Sequence, residues 1–400
     1  MVDTLNFSFS ANPKVIFGPG KIKLLPAIVG EIGNNVLLVI GKGSFKASSV
    51  YKWLMTEFEK NQIYSEEVNV VGEPSVDFID EISSIYRDKS FHVVVSIGGG
   101  SVIDAGKAIS AMIPQNDSVL NYIDGIGKKK HNGIKVPFIA VPTTAGTGSE
   151  ATKNAVLSKV GKSGFKKSLR HDNFIPDVAI IDPELTLTCP PEVTATSGLD
   201  AFTQLLESYT SRNAFLVTDS LALPAIELFG ENFLSVCMND GSNIQKRSAL
   251  SYAAYISGLT LSNAGLGTVH GLASVIGGYF SIPHGVICGT LLGEVISKNI
   301  EILFKKGDRN SPYLMKYARV GNTLSREKID KTESLADIEK NCENLISIIK
   351  EWIEKLQIPG LGYYGIRKAD LERIARETDN KSNPVHLTYE DILDILLKRL

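Results

Sequence analysis

Only six histidines occur in the 400 residues, and two of them share one glycine-rich stretch: Gly265-Leu266-Gly267-Thr268-Val269-His270, then Ile282-Pro283-His284-Gly285. Upstream, Gly198-Leu199-Asp200-Ala201-Phe202-Thr203-Gln204 reads as the start of a helix. Asp200 and Gln204 are four apart, so both project from one face, with Glu207 on the same side. An acid so near a helix start can simply serve the helix dipole. Two imidazoles added to that carboxylate make a metal constellation of the kind that suits Zn²⁺ or Fe²⁺. Spacing alone cannot bring residues so far apart in sequence to one point.

Glycine-rich loops supply the second chemistry. Gly98-Gly99-Gly100-Ser101 follows the apolar run Val93 to Ile97 and opens a helix containing Asp104 and Lys107. Three glycines let the backbone approach a phosphate, and the free amides of a helix start point at it. Ser101 is read as a cap, with Asp104 in a capping-box-like place. The loop is not the Gly-x-Gly-x-x-Gly fingerprint, and a bare strand-to-helix turn is its alternative. Pro142-Thr143-Thr144-Ala145-Gly146-Thr147-Gly148-Ser149-Glu150 is a second such loop, also directly after a strand. Open sheets bind ligands at these carboxyl ends, so two loops there outweigh either alone. A third exit, Gly41-Lys42-Gly43-Ser44-Phe45-Lys46, carries two lysines and no acid. A carboxylate commonly meets the adenosine ribose of NAD, so this turn favours NADP; a solvated turn without ligand is the equal alternative.

Those loops need a sheet to hold them. Val36 to Ile40, Val93 to Ile97, Phe138 to Val141 and Val178 to Ile181 are short, continuous apolar runs suited to strands buried on both faces. Amphipathic stretches between them, Ser49 to Asn61 and Val76 to Arg87, suit crossover helices. From about Pro190 helical patterns take over: Ser197 to Ser211, Thr218 to Phe229, Ser242 to Asn263, Ser334 to Leu356 and Lys368 to Thr378, with a capped start at Thr388. The expected fold is an α/β domain with a Rossmann-like parallel sheet over residues 1–185, then an all-helical domain over 186–400, with a ligand cleft between them.

Composition narrows the partners. Hydrophobic residues are 43% and charged residues 22% of the chain, ordinary for a globular protein rather than a disordered one. Forty-two Lys and Arg against 44 Asp and Glu leave a net charge of −2, which provides no field for nucleic acid or an anionic membrane. Cys189, Cys237, Cys288 and Cys342 form no Cys-x-x-Cys pair and read as buried hydrophobes. Met1 to Asn12 lacks a basic start and apolar run, and no apolar stretch reaches the roughly 18 residues of a membrane span. A cytoplasmic protein is expected.

In their order and spacing these motifs make the chain resemble the iron-dependent (group III) alcohol dehydrogenases over nearly its whole length. The matching segments run from Phe17-Gly18-Pro19-Gly20 through Gly98 to Lys107, Pro142 to Glu150, Asp182-Pro183, Gly198 to Gln204 and Gly265 to Gly285. The resemblance implies the two domains read above, in the arrangement of dehydroquinate synthase, with the active site between them. It implies that Gly98, Gly99, Gly100 and Ser101 hold the cofactor pyrophosphate, with Asp104 near the nicotinamide. Thr143, Thr144 and Thr147 would contact the nucleotide, as would the Gly41, Lys42, Gly43 and Ser44 turn, and Lys166 would be a cleft lysine. Asp200, Gln204, His270 and His284 would be the metal ligands.

Three positions depart from the family's pattern. Gln204 stands where a second ligand is usually His, which implies a variant, weaker metal site. Ser274 stands where a further His is frequent, so Ser274 or water would carry the proton. Gly41 stands where an acid is frequent, again pointing to NADP over NAD. The implied activity is metal-assisted hydride transfer between a nicotinamide cofactor and a small alcohol or aldehyde, using Fe²⁺ or Zn²⁺, with Asp104, Lys166 and Ser274 as the catalytic side chains. A homodimer is expected, with Ile16 and Phe17 in a strand that pairs with another subunit. The alternatives are a lyase resembling dehydroquinate synthase, or a nucleotide-binding protein that has lost catalysis, for which Gln204 and Ser274 speak.

Overall fold

The structure, a computed structural model, describes residues 6–306, 311–325 and 334–400. Its N-terminal half runs β1 (Lys14–Phe17), α1 (Leu25–Ile32), β2 (Asn35–Gly41), α2 (Ser49–Lys60), β3 (Tyr64–Val70), α3 (Val76–Tyr86), β4 (Val93–Gly98), α4 (Gly100–Met112), β5 (Phe138–Pro142), β6 (Asn154–Lys159), β7 (Phe165–Arg170) and β8 (Val178–Ile181). Helices follow: α5 (Pro191–Tyr209), α6 (Leu216–Met238), α7 (Ile244–Ala264), α8 (Thr268–Tyr279), α9 (His284–Lys305), α10 (Pro312–Leu324), α11 (Leu335–Lys355), α12 (Lys368–Glu377) and α13 (Tyr389–Lys398). A Rossmann-like parallel sheet followed by an all-helical region is the fold class expected from the sequence.

Among the described residues, six strands form one sheet in the order β1-β8-β5-β4-β2-β3, every neighbour parallel. The four apolar runs became its interior strands β2, β4, β5 and β8, sealed on both faces as an α/β sheet requires. The chain leaves β2 toward β3 on one side and returns as β4 on the other. A crevice opens at such a reversal, outside the carboxyl ends of the strands. There the exits of β2 at Gly41, β4 at Gly98 and β5 at Pro142 lie side by side.

Four strands escaped the sequence reading or differ from it. Edge strand β3 alternates exposed and buried residues, as an edge with one wet face does. β6 and β7 form a separate antiparallel hairpin whose polar sequence hides its strands. β1, expected to pair with another subunit, pairs with β8 of its own chain, Ile16 opposite Ile180.

In the helical half α5 is the central rod. Its run Gly198–Tyr209 is buried all round, the mark of a core helix. Phe202 stacks on Phe229 of α6 and meets Trp352 of α11 edge-on. α5 begins at Pro191, earlier than Ser197, because Pro190-Pro191 makes a proline start. Asp200 therefore sits in mid-helix, which removes the dipole explanation for it. The expected cap at Thr388 is present, with its hydroxyl accepting from Asp391 N at 3.2 Å. α6 is, by length and composition, long and apolar enough to cross a membrane, which the sequence reading did not expect; its residues Ala222, Ala225, Ile226, Phe229 and Phe233 are buried in the helical core.

Candidate active site and metal centre

Burying a polar side chain costs free energy unless it finds a partner. On α5, Thr203 Oγ1 donates to Leu199 O at 2.7 Å and Ser208 Oγ to Thr260 Oγ1 at 2.9 Å. Gln204 Oε1 accepts from Ser257 Oγ at 2.7 Å. Glu207 takes two donors, Val269 N and His270 Nδ1, each at 2.7 Å. On this helix, Asp200 Oδ1 is the one buried side-chain atom left without a hydrogen bond.

What surrounds Asp200 Oδ1 explains this. His270 Nε2 lies 3.3 Å away and His284 Nε2 3.6 Å away. Cys288 Sγ, one turn into α9, is 3.8 Å from His270 Nε2 and 3.7 Å from His284 Nε2. Because Glu207 holds the proton on His270 Nδ1, the neutral ring turns its Nε2 lone pair toward a carboxylate oxygen, an arrangement that repels unless a cation sits between them. The protonation equilibria draw a positive charge to the same point, a proton serving as a metal cation would. Against burial, Cys288, Glu207 and Asp200 together raise the His270 pKa well above its usual value. Asp200 is held at about 2, where burial is outweighed by His284 and His270.

The four donor atoms of Asp200, His270, His284 and Cys288 all lie within 4.8 Å of one another. Bonds of about 2.0–2.3 Å from a tetrahedral centre imply donor–donor edges of roughly 3.3–3.8 Å, and the four distances just given fall in that range. One carboxylate, two imidazoles and a thiol thus fit a divalent metal, and a buried carboxylate oxygen without a hydrogen bond is what an ion would satisfy. This corrects the expectation of a variant site weakened by Gln204. Gln204 is engaged with Ser257 at the cavity wall, and the set His270, His284, Asp200 is completed by Cys288. The signal was present, since His284 and Cys288 are four apart and share a helix face.

Across the cleft stand the glycine loops. The first turn of α4 starts directly from β4, with Gly99 as its N-cap and no side-chain cap. The expected capping role of Ser101 and Asp104 is therefore replaced. Asp104 instead accepts from Ser149 Oγ and, at 3.1 Å, from Val156 N. A Cβ on Gly100 would lie 2.4 Å from Thr147 Cγ2, so only glycine lets the two loops meet here. Thr143 N donates to Gly98 O at 2.9 Å, and Thr144 lies 3.5 Å from where a Cβ on Gly99 would be. Buried Lys107 knots the far side of the second loop, its ammonium donating to Ser149 O at 2.7 Å, Thr152 O at 2.8 Å and Asn154 O at 2.9 Å.

The turn after β2 is less acid-free than its sequence suggests. Glu67 of β3 reaches it, but Lys46 at 2.5 Å and the Tyr51 hydroxyl occupy that carboxylate. Lys166 of β7 pairs with Glu73, and Ser274 Oγ donates back to His270 O at 2.8 Å. A cavity of about 360 Å³ joins these groups. Gly100, Ser101, Asp104 and Thr147 line it on one side, and Asp200, His270, Ser274 and His284 on the other, with Lys166 at its edge. Thr143, Thr144 and the Gly41 to Ser44 turn lie outside its wall. A second cavity of about 500 Å³, beside Glu294 and Arg399, holds none of these residues.

A dinucleotide cradle at a sheet's switch point, facing a buried four-donor metal set across one cavity, defines a nucleotide-dependent metal dehydrogenase. The chain belongs to the iron-containing alcohol dehydrogenase family, matching it over residues 12–183 and the family's C-terminal region over residues 194–400. It is 33% identical over 315 residues to long-chain-alcohol dehydrogenase 1 of Geobacillus thermodenitrificans, covering 77% of this chain and 74% of the relative. It is 30% identical over 397 residues to NADPH-dependent butanol dehydrogenase of Clostridium saccharobutylicum, covering 97% and 96%. The crystal structure of a 1,3-propanediol oxidoreductase superposes with a TM-score of 0.86 at 28% identity, over 99% of this chain and 100% of that one. The family supports an NAD(P)-dependent, metal-assisted oxidoreductase acting on alcohols and aldehydes, with a nucleotide cofactor and a divalent metal.

Proposed function

We propose that the chain reduces small aldehydes with NADPH, and oxidises the matching alcohols with NADP, beside a Zn²⁺ or Fe²⁺ ion held by Asp200, His270, His284 and Cys288. The observation that carries this reading is the single cavity walled by both the α4 cradle and the metal donors. When bound, the metal supplies Lewis-acid polarisation of the substrate oxygen. The amides of Gly98, Gly99, Gly100 and Ser101 bind the pyrophosphate, and Thr143, Thr144 and Thr147 flank the nucleotide. Asp104, fixed by Ser149 and Val156, orients the nicotinamide end. Lys166, paired with Glu73, lines the same cavity, and Ser274 Oγ, already donating to His270 O, keeps lone pairs to accept a hydrogen bond from the substrate hydroxyl or from the water that would carry the proton. Placement and electrostatics are the protein's share of the work.

NADP is preferred because Gly41 offers no carboxylate and Glu67 is neutralised by Lys46, leaving Lys42, Gly43 and Ser44 to meet a ribose phosphate. The thiol of Cys288 favours Zn²⁺, although Fe²⁺ suits the other three donors. Small alcohols are supported by the likeness to a butanol dehydrogenase and a 1,3-propanediol oxidoreductase. A homodimer is supported by the outer edge of β1, which has no strand beside it among the described residues. The deciding experiment runs an aldehyde panel with NADPH and NADH side by side, on metal-free protein and after adding Zn²⁺ or Fe²⁺. Metal-dependent oxidation of NADPH, faster than that of NADH, is expected; full activity in the metal-free protein would refute the metal's role.

A further inference from the structure

Three of the four cations lining the active-site cavity already have acids: Lys166 with Glu73, Lys153 with Asp172 at 2.7 Å, and Arg170 with Asp124 at 3.2 Å. The fourth, Lys381, is half-buried and has no ion pair among the described residues. The acids nearest it are spent elsewhere. Glu207 holds His270 and Val269 N, and Asp379 Oδ1 accepts from the backbone N of Lys381 itself at 2.9 Å. Burial lowers the Lys381 pKa, with Glu207 and Asp379 opposing it. A cation taken partly out of water calls for an anion.

The backbone holds Lys381 there at a cost. Its φ of +49° is the left-handed region that glycine occupies far more readily. The conformation is pinned on both sides: Lys381 O accepts from Arg212 at 2.8 Å, and Ser382 N donates to Leu266 O at 2.9 Å. A strained, over-determined residue beside a reaction centre points to use of its side chain. The walls agree. Among the described residues, Pro74, Val156, Leu261 and Leu266 are the aliphatic side chains that line the cavity, and most of the others are polar or charged.

We propose that Lys381 receives an anionic group at the far end of the substrate, so that the aldehyde reduced here is a short one carrying a carboxylate or a phosphonate. This rests on the dehydrogenase reading above and names its substrate class. The chemistry is unchanged: a hydride from the nicotinamide would pass to the carbonyl carbon and a proton from water to the carbonyl oxygen, with NADPH oxidised to NADP.

The test compares 4-oxobutanoate, 3-phosphonopropanal and butanal with NADPH on metal-loaded enzyme, and the binding of 4-hydroxybutanoate and 1-butanol to the NADP-bound protein by calorimetry. A charge-assisted hydrogen bond corresponds to about tenfold or more. One of the anionic aldehydes should therefore exceed butanal at least about tenfold in kcat/KM, mainly through KM, and which one does so identifies the anion. In Lys381→Met the ratio should collapse toward one, and Lys381→Arg should restore much of it. Lys381→Gly, which also relieves the backbone, should lose the ratio while staying at least as stable as the parent. Equal or better use of butanal by the parent, or a ratio unmoved in Lys381→Met, overturns the proposal. If no aldehyde turns over, the dehydrogenase reading fails and calorimetry judges the anion site. Tighter binding of 4-hydroxybutanoate that is lost in Lys381→Met upholds the site, and equal binding of acid and alcohol overturns it.

Discussion

Replacing Glu207 by Gln probes how the metal donors are aimed. Both carboxylate oxygens are in use, one on His270 Nδ1 and one on Val269 N, each at 2.7 Å in a fully buried setting. Gln keeps the volume but turns one oxygen into an NH₂ group. If that group faces the imidazole, two donors oppose each other, and relief comes by moving the ring proton to Nε2, where it points at Asp200 and Cys288. If it faces Val269, a buried N–H loses its acceptor. Either way one hydrogen bond to a charged group is lost, roughly 1.5–3 kcal/mol, which converts to about 10- to 100-fold in affinity. Losses of that size are also typical for partners behind a metal ligand. The assay is Zn²⁺ affinity by chelator competition, with thermal melting of the metal-free variant to show that it folds. A dissociation constant within about twofold of the parent would contradict the claim that Glu207 aims His270 at a metal.

Other predictions address the cofactor turn, the fourth donor and a buried acid. Cys288→Ser should weaken metal binding, and the cobalt-substituted parent should show a sulfur-to-metal absorption band that the variant lacks; identical spectra would remove Cys288 from the donor set. Gly41→Asp has room, since a Cβ there meets nothing nearer than Val102 Cγ2 at 3.7 Å. Repulsion of the ribose phosphate by about 1–3 kcal/mol should lower kcat/KM for NADPH about 10- to 100-fold relative to NADH, and an unchanged ratio would place the phosphate elsewhere. Burial pushes the Glu150 carboxyl up from its usual 4.5 to about 7, against its own backbone amide and Lys107. The folded state thus holds a proton that the unfolded chain gives up. Stability from the neutral acid is full below about pH 4.5 and is lost as pH rises through 7, ~3 kcal/mol in all. Glu150→Gln should lack that decline in urea titrations between pH 4.5 and 8; parallel pH profiles for the two proteins would show that Glu150 ionises freely when folded.

The interior strands and the helical tail were readable because both faces of a parallel sheet, and one face of a helix, impose an apolar period on the chain. β3 and the β6–β7 hairpin were not, because their wet faces carry Glu and Lys and no continuous apolar run survives. The positions of Asp200, His270 and His284 followed from residue type. Cys288 was passed over, although its place four residues after His284 puts both on one helix face, because a lone cysteine in a helix reads as a small hydrophobe. Glu207 was visible on the Asp200 face, but its partner His270 lies 63 residues away on α8, and only the folded chain brings the two together. Lys381 carried no local signal at all. Its meaning comes from a left-handed backbone and a cavity that exist only once the helices are assembled.

Direct hydride transfer beside a metal is the central chemical expectation for this site. Protein stripped of metal and then reloaded with one equivalent of Zn²⁺ or Fe²⁺ is given NADPH deuterated at both C4 positions and an aldehyde in ordinary water, and the alcohol is examined by NMR. One deuterium on the carbinol carbon, appearing in the reloaded protein and not in the stripped one, is the predicted result. An alcohol without label, or equal label from the stripped protein, would contradict it.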